Sequence, residues 1–347
     1  MNSGPVSSVA APAPHVRRTA LPAARGPVSR ILLGVLRQEP GTPLELPLLD
    51  ASGALLDDDD VQLALYLCYE LHYGALEGVD DRWEWDPGLL AFRAVLERAF
   101  EASLARVVPA PAAVAPAQVA AALRALAARE GPPLARYVEA RASREQVREL
   151  LIHRSAYQLK EADPHSWAIA RLSGPAKAAL VEVQADEYGG GRAERVHATL
   201  FAQAMAALGL DPAYGAYLDR IPGVTLATVN LMSLCGLHRR LRGAIVGHLA
   251  AFEMTSSLPN RRYANGLRRL GCGAEATDFF DEHVEADAVH EQIAAHDLAG
   301  GLAAAEPQLA DDVLWGAAAL LELDARAARR LLAAWERGEE SLLPAPG

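Results

Sequence analysis

Two imidazoles and a carboxylate stand out near the C-terminal third of the chain, in His283-Val-Glu-Ala-Asp287-Ala-Val-His290. Their spacing is i, i+4, i+7, which at about 100° per residue puts all three on one stripe of an α-helix. Nitrogen and carboxylate donors aimed into a helical bundle suit a redox transition metal such as iron. A solvated polar face would use the same residue types. Val284, Ala286, Ala288 and Val289 leave no broad charged surface here, which argues for a stripe that faces inward.

One stripe does not make a metal site, so partners are needed. Glu161, Glu187, His197 and Glu253 are the candidates, each in a segment that reads as a helix. Glu253 is the single carboxylate in the apolar run from Ile245 to Met254. A buried unpaired carboxylate costs several kcal/mol, so it must be protonated, paired or bound to metal. Glu187 and His197 are ten positions apart and cannot share a face of a regular helix. Gly189-Gly-Gly191 between them is expected to kink or break the helix and change its phase.

Taken in order, Glu161, Glu187, His197, Glu253, His283, Asp287 and His290 resemble the ligand pattern of the heme-oxygenase-like diiron oxidases and oxygenases. That pattern is a Glu on the first core helix, a Glu and a His on the next, a Glu on a later helix, and a closing His/Asp/His cluster. Asp186-Glu187-Tyr188-Gly189 and the stretches Tyr69 to Tyr73 and Asp80 to Asp86 are similar to the same family. The resemblance covers roughly residues 150–300 and extends to the N-oxygenase branch through its third histidine, matched by His283.

The resemblance implies an all-α, heme-oxygenase-like up-and-down helical bundle with an additional N-terminal helical region. It implies two Fe(II)/Fe(III) ions, O2 as co-substrate and an external electron donor. A peroxo-diiron species would deliver oxygen to the nitrogen of an amine, guanidine or amino-acid-like small molecule, in specialised biosynthesis. Two alternatives accompany it: a diiron oxidase that cleaves C–C bonds of a fatty acid or amino acid, and a metal-free enzyme on the same fold. Glu194-Arg-Val-His197 is itself an ExxH motif, the arrangement of ferritin-like diiron helices. Glu194 therefore competes with Glu187 for one ligand position.

Composition fits an all-helical protein. Alanine and leucine dominate the 347 residues, and aromatics are only 6%. A net charge of −11 excludes a nucleic-acid partner. No apolar run is long enough to span a bilayer. Cys68, Cys235 and Cys272 are scattered and odd in number, which predicts reduced thiols in a cytoplasmic protein. No phosphate-binding glycine loop or serine-nucleophile motif occurs.

Residues 1–30 read as a disordered tail rich in Ala, Pro and Arg. Residues 31–145 read as an N-terminal helical region, broken by the proline-rich stretch 107–116. Its Tyr66, Leu67, Tyr69, Leu71, Tyr73, Trp83 and Trp85 exceed what a small subdomain buries, which predicts a layer that pairs two chains as a homodimer. Residues 146–340 form the expected diiron core, with helices near 144–162, 174–188, 192–208, 212–218, 224–254, 258–270, 274–294 and 306–338. His165 beside Pro164 reads as a turn residue and His248 as a structural one. Arg239-Arg240 and Arg261-Arg262 are candidates for a substrate carboxylate or for plain surface charge.

Overall fold

Local sequence chemistry sets where the helices start. The Asp58 carboxylate accepts from the backbone N–H groups of Asp60 (2.9 Å) and Val61 (3.0 Å) and so opens one helix. Ser143 and Gln146 form a reciprocal capping box that opens another. A computed structural model describes residues 18–49 and 53–345; the side chains of residues 286–289 lie outside the description. Its helices are α1 (Pro27–Leu36), α2 (Asp59–Glu70), α3 (Pro87–Val107), α4 (Val119–Ala127), α5 (Leu134–Ala140), α6 (Arg144–Gln158) and α7 (Asp163–Ser166). They continue as α8 (Gly174–Glu187), α9 (His197–Ala207), α10 (Gly223–Leu237), α11 (Arg242–Arg269), α12 (Ala274–Gln292), α13 (Gly301–Ala305) and α14 (Ala310–Glu336). Among the described residues, extended pairing is limited to one isolated bridge, Thr19 with Leu76. The fold is therefore the all-α bundle expected.

Helix α11 is the hub, packed against α14, α12 and α5, while α10 joins α2 to α14. Two glycines allow the closest crossing. A Cβ at Gly247 would strike the Val313 carbonyl, and one at Gly316 would strike that of Ala244. Backbone meets backbone there, which no larger residue permits. Between α12 and α13 the chain runs as a π-helix over Ile293–Gly300, a geometry that often sits beside functional sites.

Several expectations change. Residues 18–30, read as part of a disordered tail, are placed: Thr19 is buried beside Leu76, and α1 already begins at Pro27. The proline-rich stretch is a loop, as expected, but helices on both sides of it share one apolar core. The aromatic and apolar residues that motivated a pairing layer are mostly consumed within the chain. Tyr66, Leu67, Tyr69, Leu71 and Trp83 are buried, and only Trp85 is largely exposed.

The expected helix 224–254 is two helices. The Arg171 guanidinium reaches the Gly236 and Leu237 carbonyls and ends α10. His238 then turns extended. The break expected between 254 and 258 is absent: α11 runs continuously through it, with Pro259 inside the helix. Residues 212–218, expected as an α-helix, form a bend and turn that leads into a short 3-10 turn at Leu218–Arg220. No helix among the described residues is long and apolar enough to cross a membrane.

Candidate metal centre

The six described candidates come from one turn, two helix ends and three positions within helices α11 and α12. Helix α6 stops at Gln158, so Glu161 lies in a turn and not on the helix expected over 144–162. The next residue, Ala162, has φ 74°, a left-handed conformation that costs a non-glycine residue about 1 kcal/mol or more. Its carbonyl accepts from the Gln184 side chain at 2.8 Å, which holds the turn. Glu187 is the last residue of α8 and His197 the first of α9. Glu253 is on α11, and His283 and His290 are on α12.

The glycine run joins Glu187 to His197. Gly189, Gly190 and Gly191 have φ values of 71°, 57° and 82°. A Cβ on Gly189 would lie 2.7 Å from the backbone of Arg195 and Val196. Only glycine fits such a left-handed, tightly crossed loop. The loop doubles the chain back, and His197 Nδ1 comes to 2.9 Å from Glu187 Oε2.

The six described candidates converge in two overlapping groups. Donor atoms of Glu161, Glu187, His197 and His283 all lie within 4.8 Å of one another, and so do those of Glu187, Glu253 and His290. Glu187 belongs to both. All six side chains are buried. Asp287 is on α12 between His283 and His290, but its side chain lies outside the described residues. Glu194 is exposed on the short turn Ala193–Arg195 and belongs to neither group.

The residues fit a metal. Both Glu161 oxygens, and Nδ1 of His197 and of His290, are buried without a hydrogen bond. Yet His283 Nε2 is 3.5 Å from Glu161 Oε1, and His290 Nδ1 is 3.3 Å from Glu253 Oε2. These atoms crowd together without hydrogen-bond alignment, as ligand atoms do around a shared point. Three buried carboxylates in one place are costly unless cations neutralise them.

Outer contacts fix the imidazoles. His283 Nδ1 donates to the Phe279 carbonyl at 2.7 Å, leaving the Nε2 lone pair toward Glu161. His290 Nε2 contacts Asp186 Oδ2 at 3.0 Å, leaving Nδ1 toward Glu253. Burial pushes Glu187 up, but the fields of His197, His283 and His290 outweigh it and hold the carboxyl down to about 2. Burial also raises Glu253, with Glu187 adding to the shift. Burial lowers His290, and Glu253 and Asp186 on either side outweigh it and lift it to about 9.

A small cavity of about 10 Å³, room for one water, adjoins the cluster. Tyr157, His165, Gln184, Phe252, Glu187, Glu253 and His283 are among its walls. His165, expected as a turn residue, faces this cavity, and its Nε2 lies 3.1 Å from Nδ1 of the equally buried His248. Asp186 was noted in the sequence only as part of the run Asp186-Glu187-Tyr188-Gly189, and Gln184 was not singled out. Their adjacency to Glu187 on α8 was the available signal. The arginine pairs lie elsewhere: Arg240 pairs with Glu101 and Arg262 with Glu139.

Comparison with known proteins agrees with this geometry. The family described as iron-containing redox enzyme matches residues 148–325, about half of the chain and all of the candidate ligands. A segment of 138 residues is 30% identical to a nitrosourea synthase from Streptomyces achromogenes subsp. streptozoticus. That segment covers 39% of this chain and 29% of the relative, so the chain spans well under half of that protein's length. The chain belongs to the family of iron-containing redox enzymes with the heme-oxygenase-like fold.

Proposed function

We propose that this chain is a non-heme diiron oxygenase that transfers oxygen from O2 to the nitrogen of a small amine or guanidine. The observation that carries it is Glu187, common to two buried groups of donors. Glu161, His197 and His283 would hold one iron; Glu253, Asp287 and His290 would hold the other, with Glu187 between. Iron bound there supplies the two-electron reduction of O2, with further electrons from an external donor.

The chain's own residues do the rest. The Phe279 carbonyl and Asp186 hold His283 and His290 by the nitrogen facing away from the carboxylates, so each turns its other ring nitrogen inward. The Phe279 ring lies 4.4 Å from that of His283 and 5.0 Å from that of Phe201, so a buried aromatic pair backs this imidazole. Without metal, the proton balance of the site rests on Glu253 and His290, both shifted upward. Metal binding must displace those protons, so uptake is favoured as pH rises.

The likeness to a nitrosourea synthase supports the nitrogen substrate. A fatty-acid oxidase would call for a long apolar tunnel, whereas the space beside the cluster is small and edged by His165, Gln184 and Ser256. Three buried carboxylates weigh against a metal-free enzyme. The test is anaerobic loading with Fe(II), then O2 and a panel of amines and guanidines. An N-oxygenated product supports the reading. Consumption of O2 that instead shortens a carbon chain replaces it with the C–C cleaving alternative.

A further inference from the structure

One buried acceptor beside the metal centre has no donor. Gln184 is 2% exposed and stands three residues before Glu187, on the same face of α8. Its side-chain nitrogen is used twice. Nε2 donates to the Ala162 carbonyl at 2.8 Å and to Ser166 Oγ at 2.7 Å. A carbonyl only accepts, so the Ala162 contact fixes which end of the amide is nitrogen. The other end, Oε1, is buried without a hydrogen bond. Burying an acceptor unpaired is costly, and a donor that reaches it relieves that cost.

Gln184 is a wall of the water-sized cavity that Glu187, Glu253 and His283 also line. Two other polar walls are engaged elsewhere. His165 Nε2 lies 3.1 Å from His248 Nδ1, and Ser256 Oγ donates to the Phe252 carbonyl one turn back. Phe252 and Ser256 are half-buried, whereas the remaining walls are buried, so the cavity opens at this edge of α11. Its volume of about 10 Å³ admits one water or one terminal amino group and leaves the rest of any larger molecule at the Phe252 edge. Chemistry then decides which tip fits. An N–H satisfies Oε1. A carboxylate or ketone oxygen sets acceptor against acceptor, and a methyl leaves the oxygen unpaired.

We infer that Gln184 selects the reacting end of the substrate: its Oε1 accepts a hydrogen bond from the N–H of a terminal amino, amidino or guanidino group. That nitrogen takes the place of a water in the cavity it shares with Glu187, Glu253 and His283. The substrate's reacting nitrogen is therefore one that carries hydrogen, and a substrate ending in carbon or in acceptor oxygens is disfavoured at this point. Calling the ligand the substrate rests on the oxygenase reading; the binding of an N–H group by Gln184 does not.

Calorimetric titration of the full-length protein, incubated anaerobically with Fe(II), tests this. The probes are benzamide and acetophenone, neutral molecules of one shape whose tips are NH2 and CH3. Gln184→Met keeps the side-chain volume and removes the acceptor. Gln184→Glu, protonated when buried, keeps an O–H donor for the Ala162 carbonyl and an acceptor oxygen for the cavity. The ratio of benzamide to acetophenone affinity should fall about tenfold in Gln184→Met and persist in Gln184→Glu. A loosened turn would weaken both probes alike and leave the ratio unchanged. An unchanged ratio in Gln184→Met, or binding of neither probe to the wild type, overturns the inference. Should Gln184→Met not fold, the wild type and Gln184→Glu decide: both must prefer benzamide, and a preference for acetophenone in either overturns it. N-oxygenated product is read separately. Product formed with no dependence of the ratio on Gln184 refutes this site alone. A Gln184-dependent ratio without such product refutes the oxygenase reading and leaves the N–H site standing.

Discussion

His197 Nδ1 stands 2.9 Å from Glu187 Oε2, although ten residues and three left-handed glycines separate them. One residue ends a helix and the other begins the next, so their contact depends wholly on the turn between them. Gly189 is the tightest point of that turn. Gly189→Ala places a methyl 2.7 Å from the backbone of Arg195 and Val196 at a positive φ. It should destabilise the protein by about 1–3 kcal/mol and displace His197 from Glu187. Gly190→Ala has open space around its Cβ and shares the positive φ, so its cost should be smaller, about 1 kcal/mol. Urea unfolding of both variants checks the order. Equal losses would mean that the crossing at Gly189 is not the constraint.

A buried ion pair anchors the turn that carries Glu161. Lys160 Nζ is 2.9 Å from Glu70 Oε2, and the Tyr214 hydroxyl donates to the same oxygen at 2.8 Å. The Tyr66 and Tyr73 rings lie 4.7 Å and 4.3 Å from the ammonium. Lys160→Met leaves Glu70 as an uncompensated buried charge and should cost about 3–5 kcal/mol. The double variant with Glu70→Leu should recover most of the loss. Thermal or urea unfolding of the two variants measures it; a double variant as unstable as the single would show that shape, not charge, is what Lys160 contributes.

Buried neutral histidines should make the protein acid-sensitive. Burial lowers His153 to about 3 and His165 to about 4. In the unfolded chain both return to about 6.5. Between those values the unfolded state binds more protons, so stability is full above pH 6.5 and falls as pH drops toward 3. At pH 5 each of these histidines accounts for about 2 kcal/mol of lost stability. His153 lies between Thr225 and Ser341, away from the metal ligands. His153→Gln should reduce the loss between pH 7 and pH 5 by about that amount. An unchanged loss would place the acid sensitivity elsewhere.

The candidate ligands could be read from the sequence because their types and order are unusual against an Ala- and Leu-rich background. The i, i+4, i+7 stripe on α12 and the solitary carboxylate in the apolar run around Glu253 were legible from local pattern alone. The break after Glu187 was legible from its glycines. Glu161 was read onto a helix because the local breaker, Pro164, comes three residues later, whereas the left-handed φ of Ala162 is set in a turn held by the tertiary contact with Gln184. The end of α10 was missed for a similar reason: its cap, Arg171, comes from a distant segment. The pairing layer was inferred from apolar content, and the packing of α2 against α10 absorbs most of that content. The cavity of about 500 Å³ walled by His72, Tyr73, Asp163, Ser166, Trp167 and Tyr188 was invisible in sequence, since its walls come from three separate segments.

The central claim is that these residues would hold two irons with Glu187 common to both donor groups, and iron stoichiometry after anaerobic Fe(II) loading tests it most directly. The wild-type protein should bind two Fe(II) per chain. Glu187→Ala, removing the residue common to both donor groups, should bind one at most and lose O2 reactivity. Glu194→Ala, altering an exposed carboxylate in neither group, should keep two. Two irons retained in Glu187→Ala and lost in Glu194→Ala, or no iron bound by the wild type, would contradict the account.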